Sequence, residues 1–162
     1  MIVEDKRNKL FFETDPILSK KFSEAGFGLP GKEGLLHPLE AAYIVKIGLS
    51  SFKQMSLQEF ISNYSKTKKS FKFAFAVYSL IRGKGRIVRP YDNSFKYFRV
   101  YAPGVGREED RPSQLVCIFP GKLTRKSIEE ELQKAHLARL DLIAACGREE
   151  EIKFYKISSF NF

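Results

Sequence analysis

The sequence offers few side chains that could transfer a proton near neutral pH or bind a metal ion. Its 162 residues include two histidines, His37 and His136, and two cysteines, Cys117 and Cys146. His37 precedes Pro38 at a predicted helix start, where helix capping is its favoured role. His136 falls in the last turn of another predicted helix, where its charge would complement the helix dipole. The cysteines stand apart in apolar runs, which indicates core residues rather than a zinc site or a disulfide. We therefore expect no metal and no cofactor.

The other motifs that could bind a phosphate or a cation are weak. Gly83, Lys84 and Gly85 follow a predicted helix, and they favour a helix stop over a phosphate-binding loop. The consecutive acids from Glu108 to Asp110 could bind a cation, although acids in a row within a loop are usually solvated. The sequence contains no Walker loop, dinucleotide fingerprint or nucleophile elbow. Composition and motifs alone therefore do not indicate an enzyme.

Positive charge dominates the chain, whose formal net charge is +9. Such an excess favours polyanionic partners. Basic residues and tyrosines interleave between positions 82 and 99, where guanidinium groups would suit phosphates and exposed tyrosines could stack on unpaired bases. The alternative is a solvated basic face whose aromatic side chains point inward. The predicted RNA-binding residues are Arg82, Lys84, Arg86, Arg89, Lys96 and Arg99.

The elements that must position these residues differ between the two halves of the chain. In the first half we predict a short strand at 10–12 and a helix at 16–22 that Asp15 caps. A second helix covers 39–47, and a third begins after Ser56, which starts a capping box with Glu59. The polar, basic segment 65–70 is the best candidate for a linker.

The second half alternates helices with strands. Apolar residues at helical spacing predict a helix over 71–81, and Thr124 caps another that runs to about residue 139. The predicted strands lie at 86–89, 98–101, 114–119, 142–146 and 152–157. This order indicates an α+β fold in which helices pack on a mixed sheet. We predict two small domains, at 1–69 and 70–162.

The apolar segments are short. No run approaches the roughly 18 residues that span a membrane, and the first residues lack the basic-then-apolar order of a signal peptide. A cytoplasmic protein without a membrane partner is the expectation.

The ordered series of elements from residue 75 to 157 resembles the nuclease domain of the tRNA-intron endonuclease family of archaea and eukaryotes. Tyr78 and Arg82 match a helix that ends in Arg and Gly, and the strand at 98–101 ends in the family's Val-Tyr. The segment 135–139, Ala-His-Leu-Ala-Arg, matches a helical pattern of the family, and an acidic turn separates the last two strands. The resemblance implies a nuclease-like α/β domain at the C-terminus, preceded by a small mixed domain.

The resemblance also implies where an active site would lie. Members of the family cut RNA without a metal, using a Tyr, a His and a Lys to make a 2'-hydroxyl attack the neighbouring phosphate. Tyr101 matches the family's Tyr, whereas Arg111 and Leu140 stand at the His and Lys positions. A guanidinium effectively never gives up a proton, and Leu140 offers no charge to a developing oxyanion. We therefore expect an incomplete site that does not cut RNA.

In the family, the acidic turn near the C-terminus docks into a basic pocket of a neighbouring subunit, and the last strand pairs with that of a partner. The alternative for the turn is an ordinary hairpin kept in solution by its charge. The resemblance favours docking, because opposite charges set the register of an interface. The predicted subunit interface consists of Glu149, Glu150, Glu151, Ile152, Phe154, Ile157 and Phe160.

Together these features predict a structural subunit of a heterotetrameric tRNA-splicing endonuclease. It would pair two copies of this chain with two of a catalytic subunit, and it would help to hold precursor tRNA at bulge-helix-bulge sites. Two alternatives remain. One is a stand-alone basic RNA-binding protein, and the other is an active nuclease that recruits Arg111 or the acids at 108–110.

Overall fold

The computed structural model describes residues 1–5, 9–28, 34–91, 95–103, 111–121 and 123–158. The chain divides into two compact units, Met1–Phe75 and Ala76–Phe162, and the division falls within one helix. None of the helices in the described ranges combines the length and apolar character needed to cross a bilayer.

The first unit contains a small antiparallel sheet and three helices. Strands β1 (Ile2–Asp5), β2 (Leu10–Glu13) and β3 (Leu35–Leu36) form the sheet in that order. The helices are α1 (Pro16–Glu24), α2 (Pro38–Lys46) and α3 (Leu57–Thr67), and the next helix, α4 (Phe71–Gly83), begins in this unit. Because α3 continues to Thr67, the first three residues of the predicted linker are helical.

The predicted helix caps of this unit are present. The Asp15 carboxylate accepts hydrogen bonds from the amides of Ile17 and Leu18, at 2.8 and 3.3 Å. His37 caps α2 as expected, because its Nδ1 accepts from the Leu39 amide at 3.2 Å. Ser56 and Glu59 form the predicted capping box at the start of α3.

Packed aromatic rings form much of the core of the first unit. Phe52 and Phe60 stack at 4.4 Å between ring centroids, and Phe11 meets Phe60 edge-on at 5.3 Å. Tyr64 lies 4.7 Å from Phe60 and 4.9 Å from Phe71. Such pairs stabilise a fold beyond the area they bury.

The second unit is built on a five-stranded mixed sheet with the order β4-β5-β6-β7-β8. The strands are β4 (Val88–Pro90), β5 (Tyr97–Val100), β6 (Gln114–Phe119), β7 (Asp141–Arg148) and β8 (Glu151–Ile157). The β6–β7 pair is parallel, with α5 (Arg125–Leu137) between the two strands in the chain, and the other pairs are antiparallel. The α+β class and the mixed sheet with flanking helices are confirmed.

Helix α5 covers one face of this sheet. Ala135 of the helix joins a buried cluster with Leu115, Cys117, Leu142 and Ala144. Both cysteines are free and buried, as the sequence predicted. The face is apolar because alternate residues of β6 and β7 point toward the helix.

Two strand predictions were displaced. The strand predicted at 86–89 begins at Val88, because Gly85 adopts a φ of +75° in the turn after α4 and the Arg86 side chain turns back to bind a carbonyl. The strand predicted at 98–101 begins and ends one residue earlier, at Tyr97 and Val100. Strands β1 and β3 were not predicted from the sequence.

Candidate functional site

The positions matched to a catalytic triad lie at one edge of the five-stranded sheet. Tyr101 follows the end of β5, Arg111 precedes β6, and Leu140 precedes β7. Strand pairing brings these ends together, because Val100 lies opposite Gln114 and Gln114 lies beside Asp141. The backbone therefore brings to one edge the three segments that the resemblance assigns to one site.

Tyr101 is held within the fold rather than presented to solvent. Its side chain and backbone are 4% exposed, and its amide donates to the Ile87 carbonyl at 3.1 Å. The Arg86 guanidinium donates to the Tyr101 carbonyl at 2.9 Å, and the Arg89 guanidinium lies 5.3 Å from the ring centroid. These contacts restrict the access of a substrate to this phenol.

The other two positions supply no proton donor. Arg111 is exposed, and a guanidinium stays protonated at any ordinary pH. Leu140 packs against the buried cluster under α5, and its amide donates to the Ala135 carbonyl at 2.9 Å. Neither histidine stands at a matched position, because His37 caps α2 and His136 is exposed near the end of α5. The three matched positions therefore offer a tyrosine, an arginine and a leucine, and none of them supplies an imidazole.

The predicted RNA-binding residues divide into two groups. Arg82 and Arg86 are half-buried and donate to backbone carbonyls, those of Arg86 and Tyr101. Lys84 is exposed in the turn after α4. Arg99 lies over the ring of Tyr91, with its guanidinium carbon 4.2 Å from the centroid. The basic stretch is thus partly structural and partly open to a ligand.

Lys96 belongs to an ionic network around a buried carboxylate that the sequence did not predict. Its ammonium group contacts Glu131 at 2.6 Å, and Glu131 also accepts from the Tyr97 hydroxyl at 3.0 Å. Lys134 donates to the Tyr97 hydroxyl at 2.9 Å and lies 3.2 Å from Glu131. The Glu131 side chain is 2% exposed, so these partners offset the large cost of removing a carboxylate from water.

The network shifts the titration of its members. Burial alone would raise the pKa of Glu131, but hydrogen bonds from Lys96, Tyr97 and Lys134 hold that pKa below its usual value. Burial likewise opposes the charge of Lys96, yet its bonds to Glu131 and Tyr97 raise its pKa. Burial raises the pKa of the neighbouring Cys117 to about 12. All three groups therefore keep one protonation state near neutral pH.

The predicted interface residues lie on a hairpin at the end of the sheet. Arg148 pairs with Glu151, which leaves Glu149 and Glu150 as the exposed two-residue turn. Glu151 forms an ion pair with Lys153 at 2.8 Å, and this bond lowers the pKa of Glu151. Phe160 lies outside the described residues.

Strand β8 is an edge strand with little cover. It occupies the end of the sheet order and pairs with β7. Ile152 and Ile157 are half-buried, whereas Phe154 and Tyr155 are 36% and 48% exposed. Phe154 also lines a groove of about 250 Å³ together with Lys84 and Arg86. The hairpin therefore combines an acidic tip with an exposed apolar strand.

The sequence is similar to curated archaeal tRNA-splicing endonucleases. It is 26% identical over 164 aligned residues to the protein from Thermococcus onnurineus, with 96% of this chain and 94% of that protein covered. The Pyrococcus furiosus protein is 25% identical over 163 residues, with the same coverage of both chains. The Methanopyrus kandleri protein is 25% identical over 152 residues, which cover 86% of this chain and 83% of that protein. No family model matches the chain. Over most of its length, the chain is therefore similar to tRNA-splicing endonucleases of archaea.

The similarity to tRNA-splicing endonucleases extends over both units. Because the alignment covers 96% of this chain, the relationship includes the N-terminal half, whose resemblance was loose in the sequence, as well as the mixed sheet. The assigned roles of Tyr101, Arg111 and Leu140 stay predictions, as do the RNA-binding and interface sets.

Sequence reasoning missed one feature of the second unit, the network around Glu131. Three consecutive glutamates at 129–131 lie in α5, and only the third, Glu131, is buried. The available signal was Lys134, three residues after Glu131 on the same helix face. Lys96 and Tyr97, at the start of β5, stand 35 and 34 residues before Glu131, so no local pattern encodes their contacts with it.

Proposed function

We propose that this chain is a non-catalytic subunit of a tRNA-splicing endonuclease and acts in tRNA intron splicing. In this proposal two copies assemble with two copies of a catalytic subunit, and the chain helps to hold precursor tRNA. The observation that carries the proposal is the chemistry at the sheet edge, where Arg111 and Leu140 stand at the family's His and Lys positions in a chain related to tRNA-splicing endonucleases over most of its length.

The reaction implied by the family needs a proton for the departing 5'-oxygen. Arg111 can stabilise a phosphate charge, but its guanidinium does not release a proton near neutral pH. Leu140 cannot stabilise a developing oxyanion, and losing one such group commonly costs about 3 kcal/mol of barrier lowering. The burial of Tyr101 under Arg89 further separates its phenol from a substrate. These points support a non-catalytic role for this chain.

The hairpin supports the assembly part of the proposal. An exposed edge strand presents unpaired N–H and C=O groups that a second strand can bind. The exposed glutamates at the tip would be attracted to a basic pocket of a neighbouring subunit. The groove beside Phe154, between α4 and the sheet, offers apolar surface next to this edge.

The test is a cleavage assay with an intron-bearing precursor tRNA. We expect no cleavage by this chain alone and full cleavage when the catalytic subunit is added. A catalytic subunit that assembles and cuts at its full rate without this chain would contradict the proposal.

Tyr101→Phe separates the proposal from the alternative of an active nuclease. In the assembled enzyme we expect this variant to cut at the wild-type rate, because the scission occurs in the other subunit. If Arg111 or the acids at 108–110 had replaced the missing groups, loss of the Tyr101 hydroxyl would lower the rate by orders of magnitude.

A stand-alone RNA-binding protein is the second alternative. It would sediment as a monomer in the presence of the catalytic subunit and would bind RNA unaided.

A further inference from the structure

A second pocket of the five-stranded unit lies apart from the positions matched to catalysis. It has a volume of about 380 Å³ and opens beside the C-terminal half of α5. Its lining residues are Tyr91, Tyr97, Leu115, Lys134, Leu137 and Ala138. Tyr101, Arg111 and Leu140 are not among them, so a ligand here would not occupy the family's cleavage site.

Two tyrosines form the aromatic part of this pocket, and they are held differently. Tyr97 is fixed, because its hydroxyl donates to the buried Glu131 and accepts from Lys134. Tyr91 is 50% exposed and meets Tyr97 edge-on, with ring centroids 6.2 Å apart. The Arg99 guanidinium lies 4.2 Å from the Tyr91 centroid. The exposed ring is therefore oriented by an aromatic neighbour and a cation before any ligand arrives.

The charge around the pocket favours an anionic ligand. Lys96, Lys134 and Arg99 are three cations in this region, and Glu131 is the carboxylate that faces two of them. The remaining wall is apolar, and Leu137 is 80% exposed. A ligand that suits both parts has a flat apolar body and an attached negative charge.

We propose that this pocket binds an unpaired nucleotide of RNA, with the base against the Tyr91 ring and the adjoining phosphate facing Lys134. Bases stack on exposed aromatic rings whatever their sequence, and cations next to the ring bind the backbone. The inference rests on the proposed function for the choice of RNA, and it names the part of the substrate that this chain holds.

The test compares binding of single-stranded and double-stranded RNA by the whole chain. The probe is an oligoadenosine that carries one 2-aminopurine, and its duplex with oligouridine is the paired counterpart. Tyr91→Ala should weaken single-strand binding about 5- to 100-fold, the range expected for loss of one stacked base, and should reduce the quenching of 2-aminopurine. Tyr91→Phe should bind like the wild type, because the ring is kept.

Leu49→Ala is the matched control, because Leu49 is also 50% exposed but lies in the first unit. Leu49→Ala should change neither the affinity for the single strand nor the affinity for the duplex. Duplex binding should fall much less than single-strand binding in Tyr91→Ala, because a paired base cannot enter the pocket.

Three results would overturn the inference, and they have different consequences for the proposed function. If Tyr91→Ala binds the single strand as tightly as the wild type, the pocket assignment fails and the proposed function stands. If Tyr91→Ala loses association with the catalytic subunit while RNA affinity is unchanged, the pocket is a protein contact. If the wild type binds neither RNA, the RNA-holding part of the proposed function fails with it.

Discussion

At the residue scale, the basic side chains of this chain serve several purposes. Arg82 donates to the Arg86 carbonyl and Arg86 to the Tyr101 carbonyl. Lys96 neutralises a buried carboxylate. Lys84 is exposed, and Arg99 lies over the half-exposed ring of Tyr91. Some of the cations that contribute to the net charge of +9 are therefore engaged within the fold and do not remain for phosphates.

The buried carboxylate gives a stability prediction. Glu131→Gln should lower the free energy of unfolding by about 1–3 kcal/mol at pH 7, because Lys96 and Lys134 lose their counter-charge. The pKa of Glu131 in the fold lies below its value in the unfolded chain. Its contribution is therefore complete above the unfolded pKa of about 4.3 and is lost as the pH falls through the folded pKa.

Urea denaturation at neutral pH and at about pH 3 measures both parts of this prediction. The difference between wild type and Glu131→Gln should shrink at the lower pH. Glu129→Gln is the control, because Glu129 forms an exposed i,i+4 pair with Arg125, and such pairs contribute little. An equal effect of the two substitutions at pH 7 would refute the special role of Glu131.

At the element scale, the β7–β8 hairpin depends on one glycine. Gly147 has a φ of +116°, a conformation that L side chains rarely adopt. A Cβ at this position would lie 2.2 Å from the Glu151 carbonyl oxygen. The hairpin can place Glu149 and Glu150 at its tip because residue 147 has no side chain.

Gly147→Ala should destabilise the hairpin by about 1–3 kcal/mol, since the backbone must shift away from Glu151. Hydrogen exchange of the β7 and β8 amides should accelerate, while β1–β3 should be unaffected. Gly83→Ala is the matched control, because Gly83 ends α4 and a Cβ there meets nothing within 4 Å. It should be neutral or stabilise by about 0.5–1 kcal/mol. Unchanged exchange in Gly147→Ala would show that the turn tolerates a side chain.

The elements also show how far the sequence determines the fold. Helices α1, α2 and α3 were predictable because Asp15, Pro38 and Ser56 act locally at their starts. Strand β6 was predictable from its unbroken apolar run. By contrast, β1 and β3 depend on β2, which lies between them, and a two-residue strand such as Leu35–Leu36 has no period to detect.

The candidate site was predictable only where residues are close in the chain. The predicted lack of a histidine at the matched positions follows from where the two histidines stand in the sequence. The burial of Tyr101 and the pairing of Lys96 with Glu131 do not, because each depends on contacts between segments that are far apart. The pocket at Tyr91 likewise combines residues of β5, β6 and α5 with one that follows β4.

At the scale of the whole molecule, the acidic tip gives a test of assembly. Replacing Glu149, Glu150 and Glu151 by lysine should split the proposed tetramer into dimers, because like charges would then face the basic pocket of the neighbouring subunit. Sedimentation equilibrium of the mixture with the catalytic subunit measures the mass.

The control adds the same positive charge elsewhere. Glu24, Glu129 and Glu130 are exposed on α1 and α5, and their replacement by lysine should leave the tetramer intact. If both triple variants keep the wild-type mass, the tip makes no contribution to assembly.

The uncovered strand β8 bears on how a cell must make this protein. A newly synthesised chain exposes seven residues of edge strand, with Phe154 and Tyr155 in contact with water, and such edges bind one another without discrimination. Copies made in excess of their companion would aggregate or be degraded more readily than assembled ones. The proposed complex therefore calls for matched rates of translation of its two polypeptides, with each new copy captured soon after it leaves the ribosome.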